Sequence, residues 1–484
     1  MPYEVRYDKK TAPKLGAVFA SIDVFSEEGK KLEERRFTAL FDSLKSEGAI
    51  AQDSILVPRI FGPHEAMNVA DRFASARVDV VLICNSAFPN GHVFPSIALH
   101  PQLSRTPVII TADAEPDLGD NEWTTNAWCG VIMNNYAAKQ LGRHIRPLAG
   151  NHESEQYSDE LKMLLNCYRA VAMLRRDYLG RFGDAPGGFH SATMDQMQFL
   201  RTFGIRVDSI DMLGVVTTYT TGKAKGFCGE ISFTDAEVEA TMVEMKTGRA
   251  CLIDDDRLRK GARLYHAFKA LIEANGYTSI AVRCWPEILH PTIDIAPCLP
   301  MTWLLSKGIV TAAACESDWP AAVMQSLATM LSGKPAACLD LVNYTGGSEC
   351  VELGHCGSGI PGYMGDGEAI STKSPDRQAG DMNSPALVGQ FVYGPKTAVG
   401  ITRDQDGALK VLCFTGENTP ASARGKLSSA ADVLVTDYAE LNRLILDHGF
   451  GHHVSVAMED ISREVAEVCG FYGIECLNPN PNYS

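Results

Sequence analysis

The sequence predicts an α/β protein, with two doubly wound α/β domains followed by a C-terminal, mostly antiparallel β domain of barrel-like form. Three observations carry this. Continuous apolar, β-branched runs alternate with amphipathic helical segments through most of the chain, as buried parallel strands and their covering helices do. A polar stretch, "AGNHESEQYSDE" (149–160), interrupts that alternation once. From about residue 345 the text becomes glycine-dense, with apolar and polar residues alternating. The expected domains are 1–150, 151–344 and 345–484.

In order along the chain, "KLGAVFAS" (14–21) reads as a strand and "EEGKKLEERRFTALFDSLKSEG" (27–48) as an amphipathic helix stopped by glycine. "SILVPRIFG" is a strand, "HEAMNVADRFASAR" a helix, and "VDVVLICNS" and "TPVIITAD" two further buried strands. The first domain is therefore flavodoxin-like, and its strand-end loops, with His92 and Asp113, lie on the edge where such sheets take ligands. A long helix, "LKMLLNCYRAVAMLRRDYLG", opens the second domain. There follow a helix in "GGFHSATMDQMQFLRTFG" (187–204), a strand in "IRVDSIDM", a helix in "RLRKGARLYHAFKALIEANG" and a strand in "SIAVRCW". In the third domain Asp406-Gly407 sits inside "GQFVYGPKTAVGITRDQDGALKVLCFTGE", a hairpin signal between alternating runs. A short α/β coda (432–460) closes it.

Bulk properties narrow the function. At 484 residues the chain exceeds one ordinary core, and 45% apolar with 21% charged residues suits a well-packed globular protein. The net charge, 44 − 59 = −15, argues against nucleic acid and against anionic membrane surfaces. No secretory signal or membrane-length apolar run is visible, and the fourteen cysteines mostly lie in apolar runs without a CxxC pair, so reduced thiols and a cytoplasmic location are expected. Neither GxGxxG after the first strand nor a P-loop occurs, which leaves nucleotide binding without support.

The chemistry concentrates in "GIVTAAACESDWPAAVMQSLATMLSGKPAACLD" (308–340). Two buried-strand runs each end on an acid, Glu316 and Asp340. Between them lies a helix with Asp318 or Ser317 at its N-cap, Pro320 in its first turn and Gly333 at its end. Parallel neighbouring strands would bring the two acids to one sheet edge, with strand axes roughly 4.8 Å apart. Two carboxylates so close need a shared proton, a basic partner or a divalent cation. Carboxylates with an imidazole suit Mn²⁺ or Mg²⁺, and less often Zn²⁺. Histidines are at hand. His452 and His453 follow a glycine-rich turn in "GFGHHVSVAMED", and strand alternation would let only one of them face a given site. His355 lies in "VELGHCGSGIPG".

Taken together, "ACESD" at Glu316, "GKPAACLD" at Asp340, the "GHHVS" turn, and "AVRCWPE" followed by "IAPCLPMTWLLSKGI" resemble the L-fucose isomerase and L-arabinose isomerase superfamily. The match covers roughly 280–356 and 450–456, while the first 270 residues share only a domain pattern. The resemblance implies an aldose–ketose isomerase working through a cis-enediol on L-fucose, D-arabinose, L-arabinose or a related sugar. It implies a divalent ion, usually Mn²⁺ (with Mg²⁺, Co²⁺ or Zn²⁺ as alternatives), on Glu316, Asp340 and His453, and on His355 as in the arabinose branch. The two acids would also serve as the acid–base pair. Asp at the second acid follows the fucose branch, although the chain is shorter than full-length L-fucose isomerases. The resemblance also implies a homo-oligomer, trimer or hexamer. His452, Arg283 and Trp285 are candidate substrate contacts, and Trp285 and Trp319 could wall off the sugar's deoxy end or pack in the core. Arg283 could grip an anionic sugar, phosphorylated or sulfonated. A non-catalytic sugar-binding protein and another metal-dependent sugar enzyme, such as an aldolase or epimerase, are the remaining alternatives.

Overall fold

The computed structural model describes residues 12–118, 124–284, 292–344, 349–365, 368–372, 384–420, 429–435 and 437–480. The described residues fold as two compact units, one holding those up to Met173 with Glu467–Gly473 and the other those of Leu174–Ala466 with the residues from Ile474 to 480.

In the first unit β1 (Leu15–Ala20), β2 (Ile55–Ile60), β3 (Val80–Asn85), β4 (Val108–Ala112) and β5 (Arg146–Ala149) form one parallel sheet in the order β2-β1-β3-β4-β5, the flavodoxin-like arrangement. The helices are α1 (Glu27–Ser46), α2 (Pro63–Ala76), α3 (Val93–Ala98), α4 (Ala127–Gln140) and α5 (Glu155–Leu174). β1, β3 and β4 are buried at every residue, so both faces are covered and the apolar runs do not alternate. Ser26 starts α1, its hydroxyl accepting from Gly29 N at 3.2 Å, and Glu27 and Glu28 place negative charge at the positive end of the helix.

Inside this unit Glu33 of α1 is fully buried. Burial, reinforced by the Asp113 and Glu115 carboxylates, pushes its carboxyl up to about 9, with Thr125 and Arg36 offsetting only part of that. A carboxyl raised in this way keeps its proton in the native state and loses it on unfolding, so the native state weakens as pH rises between about 4.5 and about 9. Glu33→Gln, a neutral isostere, should therefore stabilise the protein, and the gain should grow by about 1.4 kcal/mol per pH unit in that window. Urea denaturation at about pH 5 and about pH 8 measures it, and equal gains at the two pH values would contradict the assignment.

The second unit opens with β6 (Tyr178–Phe182), α6 (Gln196–Thr202), β7 (Arg206–Ile210), α7 (Met212–Thr221), the hairpin of β8 (Lys223–Gly226) and β9 (Gly229–Ser232), α8 (Asp235–Lys246), β10 (Ala250–Cys251) and α9 (Asp255–Asn275). It continues with β11 (Ser279–Val282), α10 (Cys298–Ser306), β12 (Ala313–Ala314) and α11 (Trp319–Ser332). A second parallel sheet runs β12-β11-β6-β7. The helix expected across 187–204 is shorter than its pattern suggested. Asp195 caps α6 by accepting from Met197 N and Gln198 N, and His190–Ala192 form only a 3₁₀ turn.

The remaining elements are β13 (Ala337–Tyr344), β14 (Cys350–His355), β15 (Ala369–Thr372), β16 (Pro385–Gln390), β17 (Gly394–Arg403), β18 (Leu409–Asn418), β19 (Ser429–Leu434), α12 (Tyr438–His448), β20 (His453–Ala457), α13 (Ser462–Tyr472) and β21 (Glu475–Leu477). Six of these strands, β14-β13-β20-β17-β18-β19, close into an antiparallel barrel because β18 also pairs with β19, which removes the exposed edges. The β17–β18 connection turns at the expected Asp406-Gly407, with Gly407 at φ 88.

α11 joins the two architectures. It packs on β11 and β12 of the parallel sheet and on β17 and β20 of the barrel, and all of its residues are buried, which explains a helix with no charged face. Its ends lie where the sequence placed them. Asp318 is the N-cap, Pro320 lies in the first turn, and Gly333 ends it at φ 70, a conformation glycine adopts without strain. Among the described residues no helix is long and apolar enough to cross a membrane.

Candidate metal centre

Glu316 and Asp340 do not leave one sheet as parallel neighbours. β12 belongs to the parallel sheet, whereas β13 is antiparallel to β14 and β20 in the barrel. The two acids still converge, because α11 spans from one architecture to the other. Fully buried Gln325 fixes the offset: its Oε1 accepts from Ala313 N at 2.9 Å and its Nε2 donates to Ala336 O at 2.7 Å, tying together the two segments that carry the acids.

The chain delivers Glu316 through an unusual turn. Glu316 and Ser317 both lie at φ 56, a left-handed pair without glycine, at a cost of about 1–3 kcal/mol each. Ser317 is fully buried and holds the turn. Its N–H donates to Val282 O at 3.0 Å, its hydroxyl donates to Gly183 O at 2.7 Å, and the hydroxyl oxygen of Ser317 accepts from Arg181 Nε at 3.1 Å.

Asp340 and His453 are directly opposite in the β13–β20 ladder, which brings their side chains side by side. His453 Nε2 lies 3.2 Å from Asp340 Oδ1 and 3.4 Å from Glu316 Oε2. His452 Nε2 is 3.8 Å from each of the same two oxygens. The alternation rule would have turned His452 away, but β20 begins only at His453, and although the His452 carbonyl still accepts from Leu341 N at 2.8 Å, the two rings sit 4.3 Å apart. His355, at the end of β14, is buried, with its ring 5.9 Å from that of His453. Two overlapping ligand sets result, Glu316–His452–His453 and Asp340–His355–His453, each with its donor atoms within 4.8 Å of one another.

Burial alone would raise the Asp340 carboxyl, but His355, His453 and His452 overcome it and hold it at about 2. The His453 imidazole is pushed well above the usual histidine range against its burial, by the Cys338 sulfur and by the Asp318 and Asp340 carboxylates. His355 rises to about 9, again against burial, through Cys356 and Asp340. Imidazolium protons thus balance a surplus of buried carboxylate, the role a divalent ion can take over while releasing them. Asp340 Oδ1 and His453 Nε2 are moreover buried without an aligned hydrogen-bond partner. A donor set of carboxylate oxygen and imidazole nitrogen fits Mn²⁺ and its neighbours.

The other candidates divide. Arg283 follows β11, half-buried, with Nη1 3.4 Å from the carbonyl oxygens of Asp184 and Ala185. Trp285 lies outside the described residues. Trp319 packs in the core, fully buried, edge-on to Phe199 at 4.7 Å. In the first unit Asp113 is engaged with Arg36 and the His152 N–H, and His92 is exposed. Sequence reasoning missed Gln325 and the second oxygen of Asp318. A long polar side chain in the middle of a helix whose other polar residues are only serine and threonine was the available signal for Gln325.

No family model matches the chain. It is 22% identical to the sulfoquinovose isomerases of Priestia aryabhattai and Priestia megaterium over 416 residues, 85% of this chain and 88% of theirs. It is 23% identical to the sulfoquinovose isomerase of a Clostridium species, covering 76% of this chain and 80% of that one. Among solved structures, an ABC transporter solute binding protein from Burkholderia multivorans aligns with 67% of this chain at a TM-score of 0.17, too low to bear on fold or function. On the relatives, the chain is an enzyme of the isomerase class.

Proposed function

We propose that the chain is an aldose–ketose isomerase of the fucose isomerase-like kind acting on an anionic, sulfonated sugar, with Mn²⁺ held by Glu316, Asp340 and His453, and His355 or His452 as a further donor. The observation behind this is the meeting of two carboxylates and the buried His453 Nε2 at one point, with Asp340 Oδ1 and His453 Nε2 3.2 Å apart and neither offered a well-aligned hydrogen bond. The sulfonated substrate is favoured over L-fucose or an arabinose by the relatives named above, whose own sugar carries a sulfonate.

The bound ion would supply Lewis acidity toward the hydroxy-carbonyl group of the open-chain sugar. The protein's part is proton transfer. One of the Glu316 and Asp340 carboxylates removes the C2 proton, a second proton passes from O2 to O1, and an acidic group returns a proton at C1, with a cis-enediol between. Asp340, held ionised, suits the base at neutral pH. The Arg283 guanidinium is assigned the anionic end of the substrate, and His452 a sugar hydroxyl. Incubation with Mn²⁺ and sulfoquinovose, glucose 6-phosphate, L-fucose or D-arabinose in D₂O, followed by NMR, tests this. Deuterium at C1 of the ketose from sulfoquinovose is expected. Ketose from none of the four would remove the isomerase reading, and neutral sugars turned over as well as the sulfonated one would remove the anionic substrate.

A further inference from the structure

We infer that Asp318 is a positioning residue that fixes the tautomer of His453 for metal binding, an inference that rests on the metal site proposed above. Asp318 is buried and uses both carboxylate oxygens. Oδ1 accepts from Ala321 N at 2.9 Å and caps α11. Oδ2 lies 2.8 Å from His453 Nδ1, a buried contact across 135 residues of chain. The opposite ring nitrogen, Nε2, is the one turned to Asp340 and Glu316.

The chemistry of the two ring nitrogens then determines the assignment. A carboxylate can only accept, so the Nδ1 facing it carries hydrogen, and the lone pair of a neutral His453 is left on Nε2, where a ligand atom is needed. The rigid α11 holds the carboxylate, and the left-handed Glu316–Ser317 pair places that helix start beside the barrel strand. One side chain thereby serves as helix cap and as orienter of the imidazole.

The two roles can be separated. In Asp318→Asn the side chain has one oxygen and one NH₂. With the oxygen on Ala321 N, the cap survives, but the NH₂ faces Nδ1 and demands a lone pair there, which moves the hydrogen to Nε2. Asp318→Ser also keeps a capping hydroxyl but is too short to reach the ring. Asp318→Ala loses both functions. The experiment titrates full-length, EDTA-treated protein with Mn²⁺ alone by calorimetry, records the visible bands of the Co²⁺-loaded form, and measures the melting temperature without metal. Asp318→Asn and Asp318→Ser should weaken Mn²⁺ binding by about 10–100-fold and shift the Co²⁺ bands while melting near wild type, and Asp318→Ala should lose both affinity and melting temperature. Affinities within about threefold of wild type, or an affinity loss that follows melting temperature across the series, would overturn the inference. His453→Gln is the control on the underlying site. If it binds Mn²⁺ like wild type, the proposed metal centre itself fails; if it does not bind while Asp318→Asn binds within about threefold of wild type, only the role of Asp318 fails.

Discussion

Asp340→Asn or Glu316→Gln will cut kcat/KM by about 10³-fold or more while the protein stays folded. Two losses combine in each variant. Removing a positioned proton-transfer group forfeits roughly 10²–10⁴-fold, and removing a candidate ligand weakens the ion that the site is built to hold. The fold should survive because neither carboxylate supports the core. Asp340 keeps its place in the β13–β20 ladder through backbone bonds, and the Glu316 turn is held by Ser317. Neutralising Asp340 gives up its attraction to His355, His453 and His452, so that variant should melt somewhat lower without losing its core. His453 keeps Asp318 as a partner in either variant. Steady-state kinetics together with thermal melting are sufficient measurements. Activity within about tenfold of wild type in either variant would exclude the acid–base pair.

How much of this was legible in the sequence depends on the range of the interactions. α11 was readable residue by residue, since an N-cap, a proline in the first turn and a stopping glycine are local chemistry. The acids at the two run ends were readable for the same reason. Their topology was not. "KPAACLD" has the composition of any buried strand, and nothing within it says that its partners are β14 and β20 and not the parallel sheet. The second partner of Asp318 was hidden because it lies far away in sequence, although its capping role was plain. For His452 the pleat allowed either side, away from the acids or toward a sugar, and its ring stands beside that of His453, just before β20 begins. The left-handed Glu316–Ser317 pair gave no warning because neither residue is glycine, and only the burial and hydrogen bonds of Ser317 account for it.

Removing divalent ions with EDTA should abolish isomerisation, and added Mn²⁺ should restore it. The cluster without an ion is electrostatically tolerable, with protonated imidazoles opposite the carboxylates, so the stripped protein should remain folded and recoverable rather than aggregate. It should nevertheless melt lower. An ion that binds only the native state adds about 2.7 kcal/mol at a concentration one hundred times its Kd. The donor set also predicts an order among ions. Two carboxylates alone would accept Mg²⁺ readily, but the buried His453 Nε2 adds a nitrogen ligand that Mg²⁺, with its preference for oxygen and water, uses poorly. Mn²⁺ and Co²⁺ accept both donor types, so they should restore more activity than Mg²⁺ at equal concentration. Full activity in a sample verified free of metal would leave Glu316 and Asp340 to work without an ion. Equal rescue by Mg²⁺ would mean that the histidines do not coordinate it, and that the site's oxygens alone hold the ion.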